Sequence, residues 1–426
     1  MGILIPLIVI LFSCLFIWRA CDGFEIASEY IGRNMSEGVR GGTINAISSS
    51  LPELLTTLIA LFLLSDAEGF SVGIGTTAGS ALFNGMIIPA VCIFSVVGTV
   101  VLGARVNSVN VSLKVLLRDG LTLIGCEFVL IFIISGSSLH WWQGLVLMLL
   151  YIGYMGYMLG TMKQKENGEN DEDEDEDDED EKRGPIATLF YWLSLGPILD
   201  LERWLVREHH REQMKNEQWN GWPLLLMSSA IMGAACWLLV IACGWLGTGA
   251  SNTEHPYYEL FGQQFTGFSM PAMFVAVIFA SMATSVPDTV ISIRDARDGD
   301  YDDAVANALG SNIFDICFAL GFPLFLYTII YGPIQMNPET VALSGELRLL
   351  LLMLTIVGFF IYYIGKRGTT ESGVRYVEMK RGKAVLLLTL YAAFATYIVA
   401  KSMEAGWAES ISALLRSITD ILPKLS

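Results

Sequence analysis

Very little of this chain is charged. Asp, Glu, Lys and Arg make up 16% of its 426 residues, while 53% are hydrophobic and the mean hydropathy is +0.52. That composition does not suit a soluble enzyme and fits a polytopic membrane protein. Histidine is scarce, with only His140, His209, His210 and His255. They lie outside the apolar runs or near their ends, which gives a zinc site or a histidine base little support. The seven cysteines (14, 21, 92, 126, 236, 243 and 317) form no Cys-x-x-Cys pair. Scattered mostly through apolar runs, they read as small packing residues rather than a disulfide or metal framework. No basic stripe is interleaved with aromatics, so nucleic acid is not expected as a partner. The net charge of −17 is concentrated, since residues 166–181 hold 13 acidic side chains and leave −4 for the rest.

Long apolar runs are plentiful. A helix needs about 20 apolar residues to cross the hydrocarbon core. Candidate spans cover 3–20, 41–65, 71–101, 114–134 and 141–161, then 222–247, 267–294, 302–331, 346–365 and 383–403. The first run lacks a basic start and a small-x-small cleavage site, so it reads as a retained span rather than a signal peptide. The expected fold is therefore all-α, with ten transmembrane helices in two sets of five. The expected units are 1–161, a hydrophilic linker over 162–221, and 222–426. Placing the N-terminus outside puts 22 Lys and Arg inside and leaves Arg348, Lys401, Arg416 and Lys424 outside. The positive-inside rule favours that arrangement. Both termini are then outside, the acidic loop is cytoplasmic, and a plasma or cell inner membrane is expected. "DEDEDEDDEDE" reads as a solvated, self-repelling linker, with a low-affinity calcium buffer the lesser reading. The "IATLFYWLSLGPILDLERW" segment is too short in its apolar part to span and is expected to lie in the interface.

The chemistry lies in a repeat. "ISSSLPELLTTL" (47–58) has a counterpart in "MATSVPDTVISI" (282–293), pairing Ser49 with Thr284, Ser50 with Ser285, Pro52 with Pro287 and Glu53 with Asp288. "GSALFN" (79–84) likewise matches "GSNIFD" (310–315), pairing Ser80 with Ser311 and Asn84 with Asp315. With five spans in each half, the copies run in opposite directions, as an inverted-topology repeat. Proline lacks an N–H, so Pro52 deprives the Ser48 carbonyl of its helical partner, and Pro287 does the same to Ala283. Such breaks are tolerated at membrane depth where they are buried or line a wet cavity. Hydroxyls, carbonyls and carboxylates are hard oxygen donors, suited to Na⁺ and Ca²⁺. Helical spacing sets Ser49 and Ser50 on the face of Glu53, and Ser80 and Ser311 on the faces of Asn84 and Asp315. Three intramembrane acids would cost roughly 8–10 kcal/mol on insertion scales, a cost that bound cations offset. By contrast, "IRDARDGDYDDA" (293–304) misplaces the glycine of a calcium loop and reads as a solvated turn.

At these residues the chain resembles the cation/calcium exchanger superfamily, most closely its potassium-dependent sodium/calcium branch. That family carries two alpha-repeats with Ser-x-Pro-Glu/Asp followed by Gly-Ser-x-x-Phe-Asn/Asp, here at about 41–101 and 267–331. The resemblance implies a ten-helix antiporter that exports Ca²⁺ against Na⁺ by alternating access, without a cofactor. It implies Glu53 and Asp288 as central ligands, with Ser49, Ser50, Thr284 and Ser285 adding oxygens. Ser80, Asn84, Ser311 and Asp315 complete flanking Na⁺ sites, and an acid at the Asp315 position accompanies K⁺ co-transport. Where the family usually has glycine before the hydroxyl pair, this chain has Ser48 and Ala283. The alternatives are a proton-coupled cation antiporter on the same fold and, remotely, an intramembrane aspartyl protease. Beyond the lipid bilayer and the ions, the sequence names no protein partner.

Overall fold

Apolar runs in this chain become long helices, and their order follows the sequence. The computed structural model describes residues 1–32, 46–64, 66–101, 103–166, 192, 195–201, 221–249, 255–370 and 373–423. In the first half the helices are α1 (Leu4–Gly32), α2 (Ala46–Leu64), α3 (Asp66–Val96), α4 (Leu113–Ile133) and α5 (Trp141–Glu166). One turn of helix, α6 (Gly196–Leu199), precedes α7 (Trp222–Gly247). Then come α8 (Ala272–Thr284), α9 (Val286–Asp298), α10 (Tyr301–Tyr331), α11 (Pro338–Tyr363), α12 (Arg381–Ser402) and α13 (Gly406–Ile421). The acidic linker and most of the expected interfacial segment lie outside the described residues.

Among the described residues, seven helices are long and apolar enough to span, or eight if the bent pair α8–α9 is one span. Expected spans 114–134 and 141–161 are present as α4 and α5 but fall outside that set. Helix α4 carries Lys114, Arg118, Asp119 and Glu127, and α5 is diluted by glycines, tyrosines and a polar end. The inner acids have side-chain partners within the bundle. Arg118 grips Asp119 with two hydrogen bonds of 2.6 and 2.8 Å, Tyr154 adds one at 3.1 Å, and Thr355 donates to Glu127 at 2.7 Å.

Two helices form the centre. In α3 and α10, which carry the paired Gly-Ser motifs, 67% of the most apolar window is buried, against 28% in α12. Such central helices are apolar all round because every face meets protein. Helix α10 contains a π turn at Asp315–Ala319, and α8 contains another at Ala276–Ala280. Ser285 adopts φ −81°, ψ 2° between α8 and α9, and the two pieces meet at 43°. Pro287 then sits in the first turn of α9, where its missing N–H breaks no bond. In the first copy Pro52 lies inside the continuous helix α2. Gly299, with φ 96°, ends α9 in a left-handed cap, so the acidic 293–304 segment is helix end, turn and helix start.

Short strands depart from the all-α expectation and tie the loops together. β1 (Val109–Ser112) pairs with β5 (Arg375–Met379), which also pairs with β4 (Arg367–Thr369). β2 (Ser138–Leu139) pairs with β3 (Ile334–Gln335). The pairings of Val109–Ser112 with Arg375–Met379 and of Ser138–Leu139 with Ile334–Gln335 join a loop of one half to a loop of the other, through residues more than 190 apart in sequence. Lys366 and Lys380 flank Glu378 at 3.1 and 3.0 Å and hold its carboxyl below the usual range. Helix α13, absent from the expected spans, is amphipathic. Ser412 and Arg416 bond Glu346 on α11 at 2.6 and 3.2 Å, Tyr397 bonds its other oxygen, and Lys401 holds Glu409 at 2.8 Å. Trp407, Leu414 and Ile421 face outward.

Candidate functional site

All ten residues singled out in the repeats are buried at 0% exposure: Ser49, Ser50, Glu53, Ser80, Asn84, Thr284, Ser285, Asp288, Ser311 and Asp315. Their hydrogen bonds repeat across the two halves. Ser80 donates to Glu53 Oε1 at 3.1 Å, and its counterpart Ser311 donates to Asp288 Oδ1 at 2.7 Å. The Thr284 hydroxyl faces Glu53, while its counterpart Ser49 faces Asp288. Ser80 and Ser285 are joined at 2.8 Å, and Asn84 Nδ2 donates to Asp288 Oδ2 at 3.0 Å, so the copies interlock.

Symmetry fails at one informative place. Asn84 supplies an N–H₂ to the carboxylate of the opposite copy. Its counterpart Asp315 faces Glu53, Ser50 and Ser80, and a carboxylate has no hydrogen to give Glu53. Neither Asp315 oxygen has a hydrogen-bond partner in the structure, nor do Glu53 Oε2, Asn84 Oδ1 and Ser50 Oγ. Buried polar atoms are normally satisfied. Five unsatisfied oxygens beside three acids form a donor set for hard cations.

The expectation about proline-freed carbonyls changes in detail. Of the two carbonyls expected to be freed, Ser48 O accepts from the Cys21 thiol at 3.0 Å, and a thiol is a weak donor. Among the described residues no group of three His, Cys, Asp or Glu is arranged as a metal cluster. Around the three acids, the other seven singled-out residues supply hydroxyl and amide oxygens. Two site neighbours escape sequence reasoning. Asn312, at the place where the other copy has Ala81, donates Nδ2 to Ala81 O at 2.9 Å and bridges the copies. Its signal is an amide breaking the repeat match inside an apolar helix. Thr57 Oγ1 is also buried without a partner. In the repeat it stands opposite Ser292.

Fold and site together define a helical, multi-pass membrane protein with a buried hard-oxygen centre built from two related motifs. A family model for sodium/calcium exchanger proteins matches residues 5–160 and 222–400, and the chain belongs to that family. Human sodium/potassium/calcium exchanger 5 is 24% identical over 429 aligned positions, taking in 83% of this chain and 78% of that protein. Human sodium/potassium/calcium exchanger 3 is 38% identical over 136 residues, which is 31% of this chain but only 19% of that protein. The crystal structure of the H⁺/Ca²⁺ exchanger CAX superposes with a TM-score of 0.61 at 12% identity, covering 97% of this chain and 86% of the other, which supports the fold alone.

Proposed function

We propose that the chain is a Na⁺/Ca²⁺ antiporter with K⁺ co-transport, exporting Ca²⁺ by alternating access. The observation that carries this reading is the set of unpartnered oxygens around Glu53, Asp288 and Asp315, in a chain of the sodium/calcium exchanger family. Glu53 and Asp288, one from each copy, are the central Ca²⁺ ligands. Ser49, Ser50, Thr284 and Ser285 add oxygens, while Ser80, Asn84, Ser311 and Asp315 hold Na⁺. An emptied site would leave its acids uncompensated in the low-dielectric interior, at about 2.5–3.5 kcal/mol each on insertion scales. Carriers without cargo therefore rarely cross the occluded state, which makes exchange obligatory. Na⁺ and Ca²⁺ compete for the same oxygens and bias one conformational equilibrium.

The architecture proposed with it has ten spans in two inverted sets, 1–161 and 222–426, with α4 and α5 crossing and α8–α9 as one broken span. Cross-links between loops support the alternation. β1–β5, Ser112 N to Asp302 at 2.6 Å, and the Arg381 bond to Val97 O join loops assigned to the inside. β2–β3, Tyr258 to Gly2 O at 2.7 Å, and His255 with Glu68 at 3.5 Å join loops assigned to the outside. Both termini are then outside, the linker 162–221 is cytoplasmic, and the membrane is a plasma or cell inner membrane.

The test is ⁴⁵Ca flux in reconstituted vesicles with Na⁺, K⁺ and H⁺ gradients imposed one at a time. Uptake is expected to follow the outward Na⁺ gradient. Uptake that follows a pH gradient and ignores Na⁺ would assign proton coupling instead. A narrower prediction concerns Asp315→Asn. An amide there can donate to Glu53 as Asn84 does to Asp288, so a hydrogen bond replaces a cation. Exchange is expected to continue while its K⁺ stimulation disappears, measured as initial rates with and without K⁺. An undiminished K⁺ response would separate Asp315 from K⁺.

A further inference from the structure

Away from the ion site, Arg348 on α11 is only 2% exposed. Its guanidinium reaches Ser344 O at 3.0 Å and, at 3.4 Å each, Leu130 O and Ile131 O at the C-terminal end of α4. Carbonyls at a helix C-terminus carry partial negative charge and welcome a cation there. They do not amount to a counter-ion. Among the described residues no carboxylate pairs with Arg348, and an unpaired buried charge is normally costly.

The same side chain lines a cavity of about 320 Å³, together with Ile131, Ser135, Val341, Gly345 and Arg416. That volume is within the range of small-ligand sites. Arg416 engages Glu346 through Nε at 3.2 Å and also lines the cavity. Two guanidiniums lining one cavity match the oxygens of a phosphate, which arginine binds in forked geometry. Asp420 also lines the cavity, which favours a singly charged phosphodiester over a multiply charged anion. The roof is α13, whose Trp407, Leu414 and Ile421 point outward, as on a helix lying at a membrane interface. An interfacial position of α13 would set the cavity at headgroup level.

We propose that the cavity between α4, α11 and α13 binds a phosphate group, carried by a lipid headgroup or free in solution, clasped by Arg348 and Arg416. The site is independent of the transported cations. The test uses the full-length detergent-purified chain and native mass spectrometry with three probes: phosphatidylglycerol, diacylglycerol with the same acyl chains, and inorganic phosphate. Wild type is expected to retain one phosphatidylglycerol per chain and to bind diacylglycerol about tenfold less, the worth of one or more charge-assisted hydrogen bonds. Arg348→Gln is expected to lose the same factor. Because Arg348 also caps α4, Gly345→Leu serves as a second variant. A Cβ at Gly345 meets only Thr419 Cγ2 at 3.7 Å and Cβ at 3.9 Å, with Arg348 Nη2 at 3.9 Å, so the new side chain grows into the cavity. Displacement of the lipid by inorganic phosphate would assign free phosphate as the ligand, and resistance to displacement would assign the headgroup. Equal retention of diacylglycerol, or wild-type retention of phosphatidylglycerol by Gly345→Leu, would overturn the proposal.

Discussion

Asp288→Asn and Glu53→Gln are each expected to reduce Na⁺-driven Ca²⁺ uptake at least a hundredfold while the chain still inserts at wild-type amounts. The geometry explains why the two effects separate. Asp288 accepts from Ser311 through one oxygen and from Asn84 through the other. An amide at 288 would set one N–H₂ against that of Asn84. Asn84 Oδ1, however, has no partner, so rotating the Asn84 amide by half a turn restores the hydrogen bond. Packing survives and only the charge is lost. Similarly, Gln at 53 can keep its carbonyl on Ser80 and place its N–H₂ where Oε2 now lacks a partner. A donor then occupies the cation's side of the site. Removing the charged partner of a buried ion costs about 3–5 kcal/mol. At about 1.4 kcal/mol per factor of ten, that is at least a hundredfold in affinity. ⁴⁵Ca uptake into Na⁺-loaded vesicles, normalised to inserted protein, measures it. Flux within twofold of wild type in either variant would remove that residue from the site.

These ten residues were legible because the repeat supplies two independent readings of one pattern. A lone Pro-Glu pair would say little, but Glu53–Ser80 and Asp288–Ser311 recur as the same contact in both halves. Span positions were legible for the same reason that helices form there, and Trp222–Gly247 matches its expected bounds. Other acids were illegible because their partners are remote in sequence. Glu127 accepts from Thr355 through one oxygen, and Glu346 is held by Tyr397, Ser412 and Arg416. Strands of two to five residues, paired across more than 190 positions, leave no periodicity to read. The π turn at Asp315–Ala319 is likewise a product of packing around the site rather than of local propensity. Helix α13 is a different case. The amphipathic spacing in "GWAESISALLRSITDI" was present in the sequence, but it is too polar for a search aimed at spans.

Gly79→Val is expected to abolish the folded protein, and Gly79→Ala to destabilise it by about 1–3 kcal/mol, the usual scale of overpacking. Gly75 and Gly79 are four residues apart on α3, the small-xxx-small spacing that lets membrane helices approach closely. A Cβ at Gly75 would lie 2.4 Å from Met273 O, and one at Gly79 would lie 2.2 Å from Val277 O and 2.7 Å from the Ser281 side chain. The nearest obstructing atom at each is a backbone carbonyl oxygen of α8, which yields only if the helices part. Ser80 follows immediately and holds both Glu53 and Ser285. Even the small shift forced by alanine therefore moves a ligand, and Gly79→Ala is expected to lose transport disproportionately to its loss of stability. Gly125 on α4 is the control. A Cβ there meets nothing within 4 Å, and alanine is worth about 0.5–1 kcal/mol over glycine inside a helix. Thermal unfolding in detergent should therefore place Gly125→Ala at or above wild type and Gly79→Ala clearly below it. Equal midpoints for the two variants would mean that α3 and α8 do not meet at Gly79, and the ion site between them would need a different geometry.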